Sequence, residues 1–240
     1  MKKFYMSLIT LLLLFLPNLV DSGEQDEKRL EYTGSCVDCS LEYANFAGKD
    51  LSNKNLSGAN LSNANLRGAN LSGANLTAAI LHNANLSYAN LDYAQVRAAN
   101  LDHANLSYAS LFRADFSSLA GWGRSSFVNS YFSHADFRGA NFYGAYFRNN
   151  DTYNANFQGA NFSEAFIENS TFKNSNLRSV SFFGASIESS YFYNSDLDNV
   201  DFSWSEIFNS SFVNSSFKDT SINEARKICN TLFPWGKIEC

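Results

Sequence analysis

The chain has 240 residues, with 18 Lys and Arg against 23 Asp and Glu, a net charge of −5. That balance excludes nonspecific nucleic-acid binding, which needs a basic surface. With 45% hydrophobic and only 17% charged residues, the chain is too apolar to be disordered and long enough to bury one continuous core.

The first residues differ from the rest. Met1-Lys2-Lys3 supplies positive charge, SLITLLLLFL (7–16) is nearly all apolar, and Pro17 breaks the run. Small residues then precede Gly23. This predicts a secretory signal peptide over 1–22 and an exported protein, periplasmic or extracellular. The apolar run is shorter than the roughly 18–20 residues of a spanning helix, so no stable membrane insertion is expected after cleavage. Residues 23–35, opening on GEQDEKRLEYT, read as an exposed leader.

A repeat follows. From Leu41 to Phe116, 16 large residues stand five apart: 13 Leu, Phe46, Phe116 and Val96. Two positions before each is a small residue, nearly always Ala. From Trp122 to Ile222 come 21 more such centres, 13 of them Phe, with Ser replacing Ala progressively. Neither standard element buries this spacing. Five residues turn an α-helix about 140° off its face, and five steps along a strand flip the side chain to the other face.

A longer period resolves the problem. Ile167, Ile187 and Ile207 are 20 apart, as are Leu177 and Leu197, and Phe172, Phe192 and Phe212. Asn recurs likewise at 129, 149, 169 and 209, and at 154, 174, 194 and 214. Like therefore falls on like every four repeats. The chain is expected to turn a corner every five residues and close a square every 20. The large and small residues point inward; Asn and Gly suit the corners. At strand spacing the repeats give about nine coils and a rod of about 44 Å, right-handed by the general crossover preference.

These residues resemble the pentapeptide-repeat family, whose pattern is A-[DN]-L-x-x, over about residues 39–222. The resemblance implies an all-β fold, a right-handed quadrilateral β-helix, in agreement with the stacking above. The later half departs toward S-x-F-x-x. There Phe should thicken the rod and Ser should compensate at the wall.

Between Phe116 and Trp122 the spacing is six, so the register shifts within 117–122. Trp122 falls at a centre, flanked by Gly121 and Gly123. A kink where the Leu-filled rod becomes Phe-filled is the expectation, ahead of a protruding loop.

Both ends need caps. Extending the register backward puts Cys36 at a centre and Cys39 at a small position. The ends lie about 40 Å apart at strand spacing, beyond disulfide reach, so Cys36 pairs with Cys39 and Cys229 with Cys240. Cys-x-x-C also admits thiol-redox chemistry or half a zinc site. Inward thiols fit redox work badly, and no second pair completes a metal site. At the other end Ser221 and Glu224 form a capping-box pattern, and Ile222, Ala225, Cys229 and Leu232 follow at roughly helical spacing. A short capping helix over 223–240 is expected. In some members of the family such a helix joins two rods, so the resemblance admits an end-to-end dimer.

No catalytic set emerges. His82 and His103 are 21 apart and are expected to be neighbours on successive coils, with no nucleophile or carboxylate beside them. Acids gather at Asp196, Asp198, Asp201, Glu206, Asp219 and Glu224. Some relatives mimic DNA with an acidic surface and bind type II topoisomerases in the cytoplasm. Here Arg138, Arg148, Lys173, Arg178 and Lys218 interrupt such a stripe. Outward aromatics are the better binding surface: Tyr131, Tyr153, Tyr191 and Tyr193 on one side, with Tyr143 and Phe183 on an adjacent one. The reading is an exported non-catalytic scaffold or binding module for a protein or envelope component, without cofactor, metal or nucleic acid. The alternatives are a cytoplasmic topoisomerase-binding DNA mimic and a thiol-redox protein using Cys36 and Cys39.

Overall fold

A computed structural model of the chain describes residues 22–240. The expected signal peptide lies outside them, save Ser22. From Cys36 onward the backbone winds as a four-sided coil whose turns stack in parallel. One column of bridges runs Ser35, Asn55, Asn75, Gln95, Asp115, Asn141, Asn161, Ser181 and Asp201. The four sides of the later coils carry these inward centres: Phe127, Phe147, Ile167, Ile187 and Ile207 on the first; Phe132, Thr152, Phe172, Phe192 and Phe212 on the second; Phe137, Phe157, Leu177, Leu197 and Phe217 on the third; Phe142, Phe162, Phe182, Phe202 and Ile222 on the fourth. All of these except Phe217 are buried.

Each residue of the five-residue unit has a physical task. The Asn before the centre turns its Oδ1 onto the backbone N–H two residues on, as Asn60 does to Ser62 at 3.1 Å. This is an Asx turn. Its Nδ2 can donate to the same residue of the previous coil, as Asn65 does to Asn45 at 3.1 Å. Two residues after the centre the backbone goes left-handed, with φ near 58° at Asn63. Gly and Asn recur there because they tolerate it. The small residue next closes the turn: Ala74 N–H donates to Leu71 O at 3.0 Å.

After the first side Ser in place of Ala builds a different corner, whereas Ser205 and Ser215 still close the ordinary turn. Along the first side no such turn bond forms at 130, 150, 170, 190 or 210. Ser170 N–H donates instead to Ser190 Oγ at 3.2 Å, and Ser190 N–H to Ser210 Oγ at 3.1 Å. Each hydroxyl also donates, Ser190 Oγ to Glu188 O at 2.9 Å. The corner opens and the side straightens into a three-residue strand, such as Ser186–Glu188. Ser thus supplies hydrogen bonds between coils rather than room for Phe, which corrects the expected wall compensation.

Like stacks on like in the core. Ile167 pairs in register with Ile187, and Ile187 with Ile207. Phe172 lies on Phe192 at 4.8 Å and 3° between rings, and Phe192 on Phe212 at 4.6 Å and 10°.

The expected kink at 117–122 is a loop. Asp115 pairs with Asn141, 26 residues on, where Asn141 pairs with Asn161 at 20. Six residues are extra, one whole repeat plus one. They leave the wall between the fourth and first sides as a tight hairpin closed by Leu119 and Gly123. Trp122 occupies no centre; it stands 70% exposed.

Both ends differ from expectation. The exposed leader is a helix, Ser22–Thr33. Leu30 plugs the mouth of the first coil, only 2% exposed, and Asp26 accepts the Ser40 N–H at 2.8 Å. Gly34 ends the helix at φ 70°, its N–H donating to Leu30 O. At the other end the capping helix shrinks to one 3-10 turn, Ile222–Glu224. The Ser221 hydroxyl does not cap it, because it donates to Asp201 Oδ1 at 2.7 Å. The chain then resumes the coil. Ile228 pairs with Ile207, Phe233 stacks on Phe212 at 5.0 Å, and a hairpin of Thr231–Phe233 with Gly236–Ile238 closes the rod. Leu232, placed on the helix's buried face by its spacing, is 41% exposed.

Burial pushes the Asp201 carboxyl up, but hydrogen bonds from Ser203 and Ser221 outweigh it and hold it below the usual range. A depressed folded pKa contributes stability above the unfolded value, about 3.9, and that contribution is lost as pH falls through the folded one. Acid titration followed by hydrogen exchange is expected to loosen the C-terminal coils below about pH 4. Asp201→Asn should flatten that dependence.

Candidate aromatic surfaces and the cysteine ends

The second side carries the expected aromatic face. Tyr131 and Tyr191 belong to one bridged column, with Asp151 and Thr171 between them. Tyr191 and Tyr193 flank inward Phe192 and stack on each other at 5.8 Å. Tyr153 shares its column with Lys173 and Tyr193, and the Lys173 ammonium lies 5.9 Å from the Tyr153 ring centroid. Tyr131 is the most open of the four, at 57%.

Sequence reasoning missed how this edge continues. Tyr88 stacks on Tyr108 at 4.9 Å, Tyr108 on His134 at 4.7 Å, and His134 meets Tyr153 edge-on at 5.7 Å. Arg67 caps the first ring at 5.2 Å. The 20-residue step from Tyr88 to Tyr108 was readable. The step from Tyr108 to His134 was hidden by the inserted loop.

Tyr143 and Phe183 do not lie on a side adjacent to this face. They follow centres Phe142 and Phe182 on the fourth side, opposite the second. Their column runs Tyr143, Ser163, Phe183 and Ser203, each coil bonded to the next through the backbone. Trp204 follows Ser203 and is 65% exposed. Neither Tyr143, Phe183, Trp204 nor Trp122 meets another ring among the described residues.

The cysteines pair 36 with 39 and 229 with 240. Cys36 and Cys39 are buried beneath the N-terminal helix, 0% and 3% exposed, so neither sulfur is at the surface for thiol exchange. Asp26 is close enough to make a three-residue metal-ligating group with them. The joined sulfurs and the Ser40 hydrogen bond leave that group little donor capacity.

His82 and His103 are neighbours, edge-to-face at 5.2 Å. The C-terminal acids are largely paired. Arg178 holds Asp196 and Asp198, each at 3.1 Å, and Arg226 lies 3.5 Å from Glu206. No base, nucleophile and orienting group converge among the described residues.

Comparison with known proteins agrees with this architecture. Residues 39–78 and 79–117 match the family of pentapeptide repeats in eight copies, and residues 125–202 match the pentapeptide repeat region. The unmatched gap contains the loop. No curated protein matches the chain significantly. Among solved structures the chain is similar to HetL, a pentapeptide repeat protein involved in heterocyst differentiation regulation from the cyanobacterium Nostoc (17% identity, 92% of this chain, 100% of that one, TM-score 0.42). It is also similar to a pentapeptide repeat protein from the thylakoid lumen of Arabidopsis thaliana (28%, 45% and 68%, 0.31). A third is QnrB1, a plasmid-mediated fluoroquinolone resistance protein (21%, 81% and 85%, 0.36). With the five-residue unit, the four-sided coil and the family matches over residues 39–117 and 125–202 in agreement, the chain belongs to the pentapeptide-repeat family.

Proposed function

We propose that this protein is an exported, non-catalytic rod that binds a protein partner in the cell envelope or outside the cell through its second side. The observation that carries the reading is the outward cluster of Tyr131, Tyr153, Tyr191 and Tyr193 on a rigid β-wall. Exposed, pre-ordered tyrosines are effective contact groups because little side-chain freedom is lost on binding. Export draws support from the charged and apolar N-terminus and from a disulfide at each end. The DNA-mimic alternative is disfavoured by the ion pairs that neutralise its acids.

The test is photo-crosslinking in the native host. A crosslinking residue replaces Tyr191 in one strain and exposed Gln158, on the third side, in another. The expected result is a discrete adduct from position 191 only, on a chain that begins near Gly23 and is four hydrogens lighter than its reduced form. Adducts from neither position would overturn the binding face. A full-length cytoplasmic chain with free thiols would overturn export.

A further inference from the structure

We propose that the edge between the fourth and first sides is a saccharide-binding strip. The bowl beside the Leu119–Gly123 loop holds one neutral sugar unit, and the glycan continues along the rod over Tyr143, Phe183 and Trp204. This surface lies across the rod from the proposed protein contact and stands or falls separately.

Ring pairing separates the two edges. On the second side the Tyr88, Tyr108 and His134 faces cover one another. On this edge Trp122, Tyr143, Phe183 and Trp204 stand exposed with no ring against them among the described residues. A free ring face is what the flat C–H face of a sugar stacks on. Tyr143 and Phe183 are two coils apart, about 9.6 Å at strand spacing. That suits alternate units of an extended glycan. Trp204 lies one coil further, shifted by one residue.

The bowl supplies polar recognition. Its volume is about 590 Å³, with Leu119, Arg124, Tyr143, Gly144, Glu164 and Phe166 in the lining, within the roughly 300–1,000 Å³ range of small-ligand sites. The Arg124 guanidinium is fixed 4.3 Å over the Phe166 ring, and one N–H donates to Gly144 O at 2.9 Å. Its other donors remain available. Glu164 extends over Gly184, where an added Cβ would lie 2.5 Å from Oε1. Among the described residues neither Arg124 nor Glu164 belongs to an ion pair. Arg124 brings hydrogen-bond donors and Glu164 acceptors to the lining of one bowl, and a sugar hydroxyl can accept from the one and donate to the other. Their charges cancel, which favours an uncharged sugar over an acidic one.

The purified full chain is titrated calorimetrically with cellotetraose, xylotetraose, maltotetraose and chitotetraose, and with tetragalacturonate as the acidic comparison. At least one neutral tetrasaccharide is expected to bind at micromolar to low millimolar concentration. Tyr143→Ala and Glu164→Gln should each weaken it at least tenfold, while Gln158→Ala, on the third side, leaves it unchanged. Both altered side chains are solvent-facing, and an unchanged melting curve verifies the fold. No neutral sugar binding at 10 mM or so, preference for tetragalacturonate, or affinity indifferent to both variants would overturn the proposal.

Discussion

A chain carrying Leu71→Asp should melt well below the wild type, while Ser72→Asp, one residue on, should melt almost with it. Leu71 is fully buried on the rod axis, and Ser72 starts the outward turn. Leu71 sits in the apolar core with Leu51 and Leu91 of the neighbouring coils, and its backbone N–H is already bonded to Asn90 O, so a carboxylate there is buried among apolar centres. Burying such a group without partners costs about 2–7 kcal/mol even when protonated, a large share of a typical stability of about 5–15 kcal/mol. Ser72→Asp changes a turn position and should stay within about 0.5 kcal/mol. In a stack of repeats each coil contacts only its neighbours. Loss of protection in hydrogen exchange should therefore spread outward from the coil of Leu71. Equal shifts in the two melting curves would reverse the inside–outside assignment on which the fold rests.

That assignment was legible because it needs only a period. Burial of a large and a small residue in every five recurs so often that one local rule reproduces most of the wall. The loop was not legible for the same reason. A five-residue count cannot tell one inserted residue from six, since both leave the later centres in the same phase. Trp122 therefore read as a centre, although a ring of its size has no free place on an axis already filled. The C-terminus failed differently. Ile222, Ala225, Cys229 and Leu232 fit a helical stripe, but the exposed edge of the last coil offers the chain backbone partners. Lys227–Cys229 adds to that edge as one more strand, and tertiary pairing outweighs a weak local pattern. At the N-terminus, one plug residue, Leu30, carries the packing of an otherwise polar helix, too little apolar signal to register. Its end was nevertheless marked by Gly34.

The aromatic candidates divide along the same line. Tyr131, Tyr153, Tyr191 and Tyr193 follow the 20-residue period without crossing the break, and the structure gathers them on one side. Tyr143 and Phe183 were placed one side too near, although the ten residues between Phe132 and Phe142 make two sides, not one. Arg124 and Glu164 had no signal at all, because the bowl exists only where the loop leaves the wall.

The second large effect is expected at Asn150, which stands at a small position between Ser130 and Ser170 of the neighbouring coils. It is 3% exposed. Its Oδ1 accepts from Ser130 N–H at 2.8 Å, and its Nδ2 donates to Phe127 O at 2.7 Å. Asn150→Ala strands a buried donor and a buried acceptor, each costing about 1–3 kcal/mol. The expected loss is thus about 2–6 kcal/mol in urea unfolding. Asn150→Ser should recover about half, because a hydroxyl there can take the Ser130 N–H as Ser190 takes that of Ser170. Asn149→Ser, next along the chain but at the left-handed corner, should be nearly neutral, since Ser189 already holds that corner at φ 50°. The order wild type, then Asn150→Ser, then Asn150→Ala would assign the straightened first side to its hydrogen-bond ladder. Equal losses for Ser and Ala would instead assign it to the volume Asn150 fills, and the drift from Ala to Ser along the rod would need another cause.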